Sequence, residues 1–339
     1  MRIVRRRIPA QLMSAALAGL LLDGCSSPRP TSTDASPATS TGLNVVSDAE
    51  LHRPTRFIVY GDMRFTARSE TQASRPAPRE ALVARIAVER PDALFLTGDV
   101  PWHGGNEDDY AVYRQETTQW RSEQLRVYPV LGNHEFQRCA EEDCLANWWK
   151  AFPQFRARRW YAVALGSQLR FLALDSNGSL LPGSEQAQWL QDQIQALPAS
   201  VRFVFILLHH PLMTDGHEGV RANEAALAAQ LAAVAPHAPA RFVVCTAHVH
   251  NYERFERDGV VFLVSGGGGA KPTPITRSSA DRYRKDDFPN FHYIRFELTS
   301  RGLRGEMVRL SDAESTNLVT WAVNDRFEID QFRTTRTID

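Results

Sequence analysis

The side chains best suited to chemistry follow five apolar runs of the sequence. They are two carboxylates, one amide and several imidazoles: Asp62, Asp99, Asn133, His134, His209, His210, His248 and His250. Oxygen and nitrogen donors in this mixture suit Mn²⁺, iron, Zn²⁺ or Co²⁺, and no thiolate joins them. A single Gly-Asp pair or a single His has an ordinary structural explanation, so it is the conjunction of five such positions that predicts a metal centre.

Strand-like and helical patterns alternate through the sequence from about residue 54. "RFIVY", "ALFLTGD" and "VRFVFILLHHP" are typical of buried strands, whereas "GSEQAQWLQDQIQAL" is typical of an amphipathic helix that Ser184 caps. This alternation predicts a layered α/β fold with covered sheets, and the late segments "FHYIRFEL" and "LRGEMVRL" predict a second, more antiparallel sheet. Ligands bind beyond the carboxyl ends of strands in such sheets, so the chemical side chains can converge there.

The order "GD…GD…GNHE…HHP…AHVH" resembles the signature of the calcineurin-like metallophosphoesterase superfamily. "HVHNYERF" and "LVSGGGGA" are similar to its purple-acid-phosphatase-like branch. The resemblance extends from residue 55 to about residue 310. It implies a four-layer α-β-β-α sandwich of two mixed β-sheets, with the metal site at the carboxyl ends of strands.

The resemblance also implies a role for each matching residue. Two divalent or trivalent metal ions would be held by Asp99 as the bridge, by Asp62 and His250 on the first ion, and by Asn133, His209 and His248 on the second. His134 would be the catalytic histidine, and Glu135 would either orient it or cap the following turn. His210 would be a structural neighbour of the ligands.

This ligand set implies hydrolysis of phosphoesters, by a phosphatase or a phosphodiesterase. Two metal ions activate water and clamp the phosphoryl oxygens, and the neutral amide of Asn133 keeps the ions electrophilic. His134 can hydrogen-bond the leaving-group oxygen or the phosphate near neutral pH. The alternative function is a non-catalytic protein that binds phosphate or phosphoesters through a weakened first metal site.

The sequence departs from the family at two expected ligand positions. Many members have Asp-x-His at the first motif, where this chain has Asp62-Met63-Arg64, and purple acid phosphatases have a Tyr where this chain has Trp102. The first ion would therefore be bound weakly or exchangeably, unless His103 substitutes as a ligand. Arg64 is expected to be catalytic by holding phosphate oxygens in a bidentate fork, and its alternative is an ion pair with a nearby carboxylate.

The glycine-rich "SGGGGA" of residues 265–270 fails as a phosphate-binding P-loop, because no Lys-Ser/Thr pair follows it. A flexible connection from a strand to a loop is the better interpretation. The polar segment 271–290 either borders the site or is merely solvated.

The N-terminus has the pattern of an exported lipoprotein. Residues 1–24 combine four arginines with an apolar run, as in a signal peptide, and "LLDGCSS" resembles a lipobox with Cys25 as the lipidated residue. The predicted segments are the signal at 1–24, a Ser/Thr/Pro-rich tether at 25–50, the phosphoesterase domain at 51–310, and an extension at 311–339 that is packed on the domain or partly disordered. The expected location is the bacterial cell envelope, with membrane contact through the lipid on Cys25. The alternative is a secreted protein that loses Cys25 with its signal.

The net charge bears on the class of partner. The formal net charge is zero, so nucleic-acid binding is not expected, and a phosphoester is the expected substrate.

The other three cysteines have separate expected roles. Cys139 and Cys144 are expected to form a short disulfide in an oxidising compartment, with a zinc site as the competing interpretation. Cys245 lies in an apolar run and is expected to be an inert, buried thiol.

Overall fold

The computed structural model describes residues 43–311, 319–330 and 335–338. The predicted signal at 1–24, Cys25 and the tether up to residue 42 therefore lie outside the described residues. None of the helices in the described ranges combines the length and the apolar character needed to cross a bilayer.

The described residues form fourteen strands and six α-helices. The strands are β1 (Leu43–Val46), β2 (Thr55–Tyr60), β3 (Ala93–Leu96), β4 (Val127–Pro129), β5 (Tyr161–Leu165), β6 (Leu169–Ala173), β7 (Phe203–Leu207), β8 (Arg241–Thr246), β9 (Tyr252–Arg257), β10 (Val260–Ser265), β11 (His292–Leu298), β12 (Gly302–Leu310), β13 (Trp321–Asp330) and β14 (Thr335–Thr337). The helices are α1 (Pro76–Glu89), α2 (Glu107–Glu116), α3 (Thr118–Ser122), α4 (Glu141–Ala151), α5 (Glu185–Gln195) and α6 (Ala222–Val234).

The strands assemble into two mixed seven-stranded sheets. The first sheet has the order β1-β5-β6-β7-β8-β10-β9, and the second has the order β14-β13-β12-β11-β2-β3-β4. β6, β7 and β8 run parallel in the first sheet, and β2, β3 and β4 run parallel in the second. The late strands β11 to β14 pair antiparallel, as the sequence predicts.

Aromatic side chains join the two sheets face to face. The Phe57 ring of β2 lies 5.0 Å from the Phe171 and Phe205 rings of the first sheet, and Phe95 stacks on Phe171 at 3.9 Å. All four side chains are fully buried, so this seam is part of the central core.

Helices cover the outer faces of both sheets. A separate apolar cluster joins the first sheet to α5 and α6 through residues such as Leu190 and Leu227. On the other side, Trp120 of α3 meets Tyr60 of β2 edge to face and donates a hydrogen bond to the Val83 carbonyl of α1. The predicted four-layer α-β-β-α sandwich is confirmed.

Several elements differ from the sequence-based expectation. The pattern of "DDYAVYRQETTQWRSEQLR" predicts a single helix, but the segment is interrupted at Thr117, between α2 and α3. The backbone N–H and the hydroxyl of Thr117 both donate to the Tyr113 carbonyl, at 3.0 and 2.6 Å. β1 lies inside the predicted tether 25–50 and pairs in parallel with β5, so residues 43–46 belong to the first sheet. The pattern of "GVVFLVSG" groups it with the late β-rich segments, but it forms β10 of the first sheet, which pairs in parallel with β8 and antiparallel with β9.

The described part of the C-terminal extension and the cysteines also have defined places. The pattern of the extension is compatible with a strand or a helix, and its residues 321–330 form β13, which pairs with β12. Cys139 and Cys144 form the expected disulfide, although Cys144 lies in α4 rather than in a polar loop. Cys245 is a buried free thiol in β8, as expected.

Candidate metal centre

The loops that follow five parallel strands meet where the two sheets come together. They carry all the side chains that the sequence singles out: Asp62 after β2, Asp99 after β3, Asn133 and His134 after β4, His209 and His210 after β7, and His248 and His250 after β8. Hydrogen bonds cross between the sheets at this point, and two of them involve the candidate ligands. His209 Nδ1 donates to the Thr97 carbonyl at 2.9 Å, and the His248 backbone N–H donates to Asp62 Oδ2 at 2.7 Å.

Four ligand atoms converge in one group, which we call the second set: Asp99 Oδ1, Asn133 Oδ1, His209 Nε2 and His248 Nδ1. His209 Nε2 lies 2.9 Å from Asn133 Oδ1 and 3.3 Å from Asp99 Oδ1. His248 Nδ1 lies 3.1 Å from Asn133 Oδ1 and 3.2 Å from His209 Nε2. Oxygen and nitrogen acceptors that face one another at such distances fit a cation bound between them.

Hydrogen bonds outside the second set fix the proton positions of its imidazoles. Because His209 Nδ1 donates to a carbonyl, its Nε2 lone pair is directed at the set. His248 Nε2 donates to Glu218 Oε2 at 2.7 Å, which leaves its Nδ1 as the acceptor. Burial lowers the pKa of His209 to about 4, so its imidazole is neutral at neutral pH, the form that binds a metal.

A first set consists of Asp62, Asp99 and His250, whose ligand atoms all lie within 4.8 Å of one another. Asp62 Oδ1 and His250 Nε2 are buried, lie 3.8 Å apart, and have no hydrogen-bond partner among the described residues. His250 Nδ1 donates to the Lys271 carbonyl at 2.7 Å, so the unpartnered Nε2 carries the lone pair. Buried polar atoms without partners are costly, and these two fit a bound cation.

The two carboxylates of the first set differ in their electrostatic surroundings. Burial raises the pKa of Asp62 well above its usual value, and the nearby Asp99 carboxylate adds to this effect. Burial alone would also raise the pKa of Asp99, but electrostatic interactions with His209, His134 and Arg64 lower it. The pair therefore requires positive charge close by to stay ionised.

Arg64 supplies part of that positive charge. Its Nη2 and Nε lie 3.2 and 3.3 Å from Asp99 Oδ2, and its side chain is only 12% exposed. The guanidinium carbon lies 5.1 Å from the centroid of the Trp102 ring, in a cation–π contact. The ion pair that the sequence leaves open as an alternative is thus formed with Asp99.

His134 faces the first set across Asp99. Its ring stacks on Trp102 at 4.6 Å, and its Nδ1 donates to the Trp102 carbonyl at 2.6 Å. The opposite nitrogen, Nε2, lies 3.8 Å from Asp99 Oδ2. The His134 side chain is therefore held from one side and presents Nε2 to the centre.

Glu135 neither orients His134 nor caps the following turn. Its buried carboxylate accepts hydrogen bonds from the backbone N–H groups of Asp99, Val100 and Gly132, at 3.0, 2.8 and 2.7 Å. It therefore ties the loop after β3 to the loop after β4. Burial raises the pKa of Glu135 to about 8.

The backbone at the centre adopts a conformation that non-glycine residues rarely take. Asp62, Arg64, Asp99 and His248 have φ values of 59°, 48°, 54° and 70°, all in the left-handed region. Strain of this kind is maintained only when the surrounding structure fixes it, and it clusters at functional sites. The ligand loops are therefore held in shape by their neighbours rather than by local preference.

Two further histidines have contacts that the sequence leaves open. His210 reaches the second set, since its ligand atom lies within 4.8 Å of those of His209 and His248, but its Nδ1 pairs with the Ser176 hydroxyl at 2.7 Å. Among the described residues, His103 belongs to neither set. The structure therefore gives no support to His103 as the substitute ligand.

The two loops after β10 pack against the centre. Residues 265–270 are buried, and the Gly268 and Ala270 backbone N–H groups donate to the Gly61 and Asp62 carbonyls, both at 2.8 Å. Segment 271–290 borders the site, because its Lys271 carbonyl accepts the His250 hydrogen bond. Glu218 and the Lys271 carbonyl are site groups that sequence reasoning missed, since neither lies at the end of an apolar run.

Several solved structures share this fold. A purple acid phosphatase from yellow lupin (Lupinus luteus) seeds matches with a TM-score of 0.63 and 16% identity, over 77% of this chain and 52% of that one. A dimetal phosphatase from Danio rerio matches with a TM-score of 0.52 and 15% identity, over 75% and 95% of the two chains. The anchor protein of the inner membrane complex of Plasmodium matches with a TM-score of 0.55 and 13% identity, over 80% and 88%.

These likenesses concern the fold, and this chain spans about half the length of the lupin enzyme. No curated protein matches the chain in sequence. The sequence pattern of the calcineurin-like phosphoesterases matches residues 55–252, which is more than half of the chain and includes every residue of both sets. The chain belongs to the calcineurin-like phosphoesterase family.

Proposed function

We propose that this protein hydrolyses phosphoesters with two metal ions, one held by the first set and one by the second. Asp99 belongs to both sets and would bridge the ions. The observation that carries the proposal is the convergence of four ligand atoms in the second set, with both imidazole tautomers fixed from outside. The donor types suit Mn, Fe, Zn or Co, and ions bound there would polarise the phosphoryl group and activate water.

His134 is proposed to assist the leaving group. Its Nδ1–H donates to the Trp102 carbonyl and its Nε2 faces the centre, so in the protonated imidazolium the Nε2–H is the donor available to the departing oxygen. The stacked Trp102 ring limits rotation of the imidazole. A purely binding protein has no evident need for such a group.

Arg64 is proposed to contact phosphate in the loaded enzyme. The guanidinium already lies beside the carboxylate shared by both sets, and a fork of N–H donors suits phosphate oxygens. The first ion is proposed to be weakly held, and Arg64 and Trp102 stand at positions where other family members supply ligands.

The second candidate function is non-catalytic binding of phosphate or a phosphoester. Two observations favour it: Arg64 pairs with Asp99, and a chain of the same fold is described as an anchor in Plasmodium. His134 favours the enzyme, so hydrolysis remains the leading proposal.

One experiment separates the two functions. The purified domain is stripped of metal, reloaded with Mn²⁺, Zn²⁺, Co²⁺ or Fe²⁺, and assayed with a chromogenic phosphomonoester and a phosphodiester. If the protein is an enzyme, we expect metal-dependent turnover that Asp99→Asn abolishes. The exposed control Asp258→Asn should leave turnover unchanged. A metal-loaded protein that turns over neither substrate would favour the binding function.

A further inference from the structure

Arg64 and Trp102, which replace two expected ligands of the first ion, contact each other. The Arg64 guanidinium lies over the Trp102 ring on one side and pairs with Asp99 Oδ2 on the other. Trp102 cannot bind a metal, and its ring helps to hold the cation against Asp99. The two departures from the family therefore form one structural unit.

The loop that carries Arg64 is fixed on both sides. The Arg64 backbone N–H donates to the Asp99 carbonyl at 2.9 Å, and the Arg64 carbonyl accepts from Arg79 Nη1 at 3.1 Å. Arg79 is fully buried and also donates to the Ser74 hydroxyl and to the Glu116 carboxylate. The fold therefore holds the Arg64 guanidinium against Asp99, and Arg64 does not behave as a freely moving surface side chain.

Charge makes this placement important for metal binding. The first set contains two buried carboxylates, Asp62 and Asp99, and Arg64 already compensates one of these charges. A metal ion that bound Asp99 would meet the guanidinium at close range, where repulsion between like charges is strong. Yet Asp62 Oδ1 and His250 Nε2 have no hydrogen-bond partner in the part of the chain that the structure describes, so the rest of the first set is ready for an ion.

We propose that Arg64 is a built-in competitor for the first metal ion. Its guanidinium holds Asp99 Oδ2 while that ion is absent and must leave when the ion binds. The inference rests on the proposed function and deepens it, because it assigns the weakness of the first site to the charge of Arg64 rather than to a shortage of ligands. The second site then fills at low metal concentration, and the dinuclear centre forms only when metal is plentiful.

The test measures metal binding instead of turnover. Metal-free protein is titrated with Mn²⁺ by calorimetry, and electron paramagnetic resonance distinguishes isolated ions from coupled pairs. Arg64→Met keeps the length and the apolar stem of the side chain but removes its charge, so the first site should bind Mn²⁺ at least about tenfold more tightly. Arg64→Lys keeps the charge and should leave the first site weak. Arg68→Met, at a neighbouring exposed arginine that pairs with Glu80, should match the wild type.

The outcomes are distinguishable. Equal or weaker binding at the first site in Arg64→Met would overturn the inference, because ligand shortage alone predicts no gain. Arg64→Gln repeats the measurement with a different side-chain shape, should Arg64→Met fail to fold as judged by circular dichroism. A wild-type protein that binds no Mn²⁺ at the second site contradicts the proposed function, and this inference with it. A wild-type protein that binds Mn²⁺ equally tightly at both sites contradicts only the inference.

Discussion

At the residue scale, the imidazoles of the centre share one design. Each donates its outer N–H to a fixed acceptor: His209 to the Thr97 carbonyl, His248 to the Glu218 carboxylate, His250 to the Lys271 carbonyl and His134 to the Trp102 carbonyl. The inner nitrogens of His209, His248 and His250 are left as acceptors that face other ligand atoms of the two sets. Such outer hydrogen bonds orient ligands before a metal arrives.

Replacement of His134 tests its proposed role at the leaving group. His134→Asn should lower kcat by roughly 10²- to 10⁴-fold, because the departing oxygen loses its hydrogen bond or proton. Metal content should not change, since His134 is not a proposed ligand. His103→Asn is the matched control, as its ring lies 6.5 Å from that of His134. A kcat within twofold of wild type in His134→Asn would contradict the role.

Glu218 offers a test of the outer hydrogen bonds. Glu218→Gln should weaken metal binding at the second site by about 10-fold, the low end of the usual range, because this carboxylate is 59% exposed. Asp258→Asn, at an exposed carboxylate that pairs with Arg257 and not with a histidine, serves as a control. Calorimetric titration measures the affinity, and an unchanged value would show that Glu218 does not position His248.

The sequence could predict the ligands but not their partners. Asp62, Asp99 and the histidines follow apolar runs, so their place at strand ends can be inferred from the pattern. Glu218 lies in a polar loop, and its contact with His248 depends on how that loop returns over the first sheet. For Arg64 the sequence leaves two interpretations, an ion pair with a carboxylate and a contact with phosphate. It cannot decide between them, since a cation near two carboxylates is consistent with both.

At the element scale, β9 anchors the loop that carries Glu218. Glu253 is fully buried in β9 and accepts hydrogen bonds from the Thr214 hydroxyl at 2.7 Å and from the Asp215 backbone N–H at 2.5 Å. Asp215 in turn accepts from the Ser278 backbone N–H at 2.6 Å, which joins this loop to segment 271–290. One buried carboxyl group therefore organises both loops beside the centre.

This arrangement predicts a pH dependence of stability. Burial raises the pKa of Glu253 from 4.5 to about 7, so the folded state binds the Glu253 proton more tightly than the unfolded state does. The stabilisation is complete below pH 4.5 and is lost as the pH rises through about 7. Relative to Glu253→Gln, the wild type should lose up to about 3 kcal/mol of unfolding free energy across this window.

Urea unfolding at several pH values between 4.5 and 8 measures the effect. Asp258→Asn removes an exposed carboxylate at the end of the same hairpin and should show no such window. Parallel pH curves for the wild type and Glu253→Gln would show that Glu253 does not carry the linkage.

The elements themselves were predicted to different degrees. Long periodic segments such as α5, with Ser184 Oγ accepting from the Ala187 N–H, follow from local preference. β1 does not, because its pairing with β5 is a long-range contact. The break between α2 and α3 at Thr117 does not follow from the periodicity either. Sequence pattern also cannot show which sheet β10 joins, since that depends on long-range pairing.

At the scale of the whole molecule, the centre exists only because the two sheets pack together. Asp62, Asp99 and Asn133 come from the second sheet, whereas His209, His248 and His250 come from the first. The aromatic seam between Phe57 and Phe205 therefore supports the relative position of the two ligand groups. Neither sheet alone could complete either set.

Export and lipid anchoring at Cys25 remain a proposal about the whole protein. Membrane fractionation of cells that express the full chain should place the wild type with the membranes. Cys25→Ser should prevent lipidation, so the variant should either leave the membrane fraction or keep its signal peptide and differ from the wild type in mass. Cys245→Ser should fractionate as the wild type does. Identical fractionation of Cys25→Ser and the wild type, with no change in mass, would contradict the lipid anchor.

The most direct test of the metal centre is anomalous X-ray diffraction from crystals soaked in Mn²⁺. We expect a strong Mn²⁺ peak bonded to Asp99, Asn133, His209 and His248, and a weaker peak bonded to Asp62 and His250 that grows with the Mn²⁺ concentration. Crystals without a peak at either set, under conditions in which soaked protein turns over a phosphoester, would contradict the account.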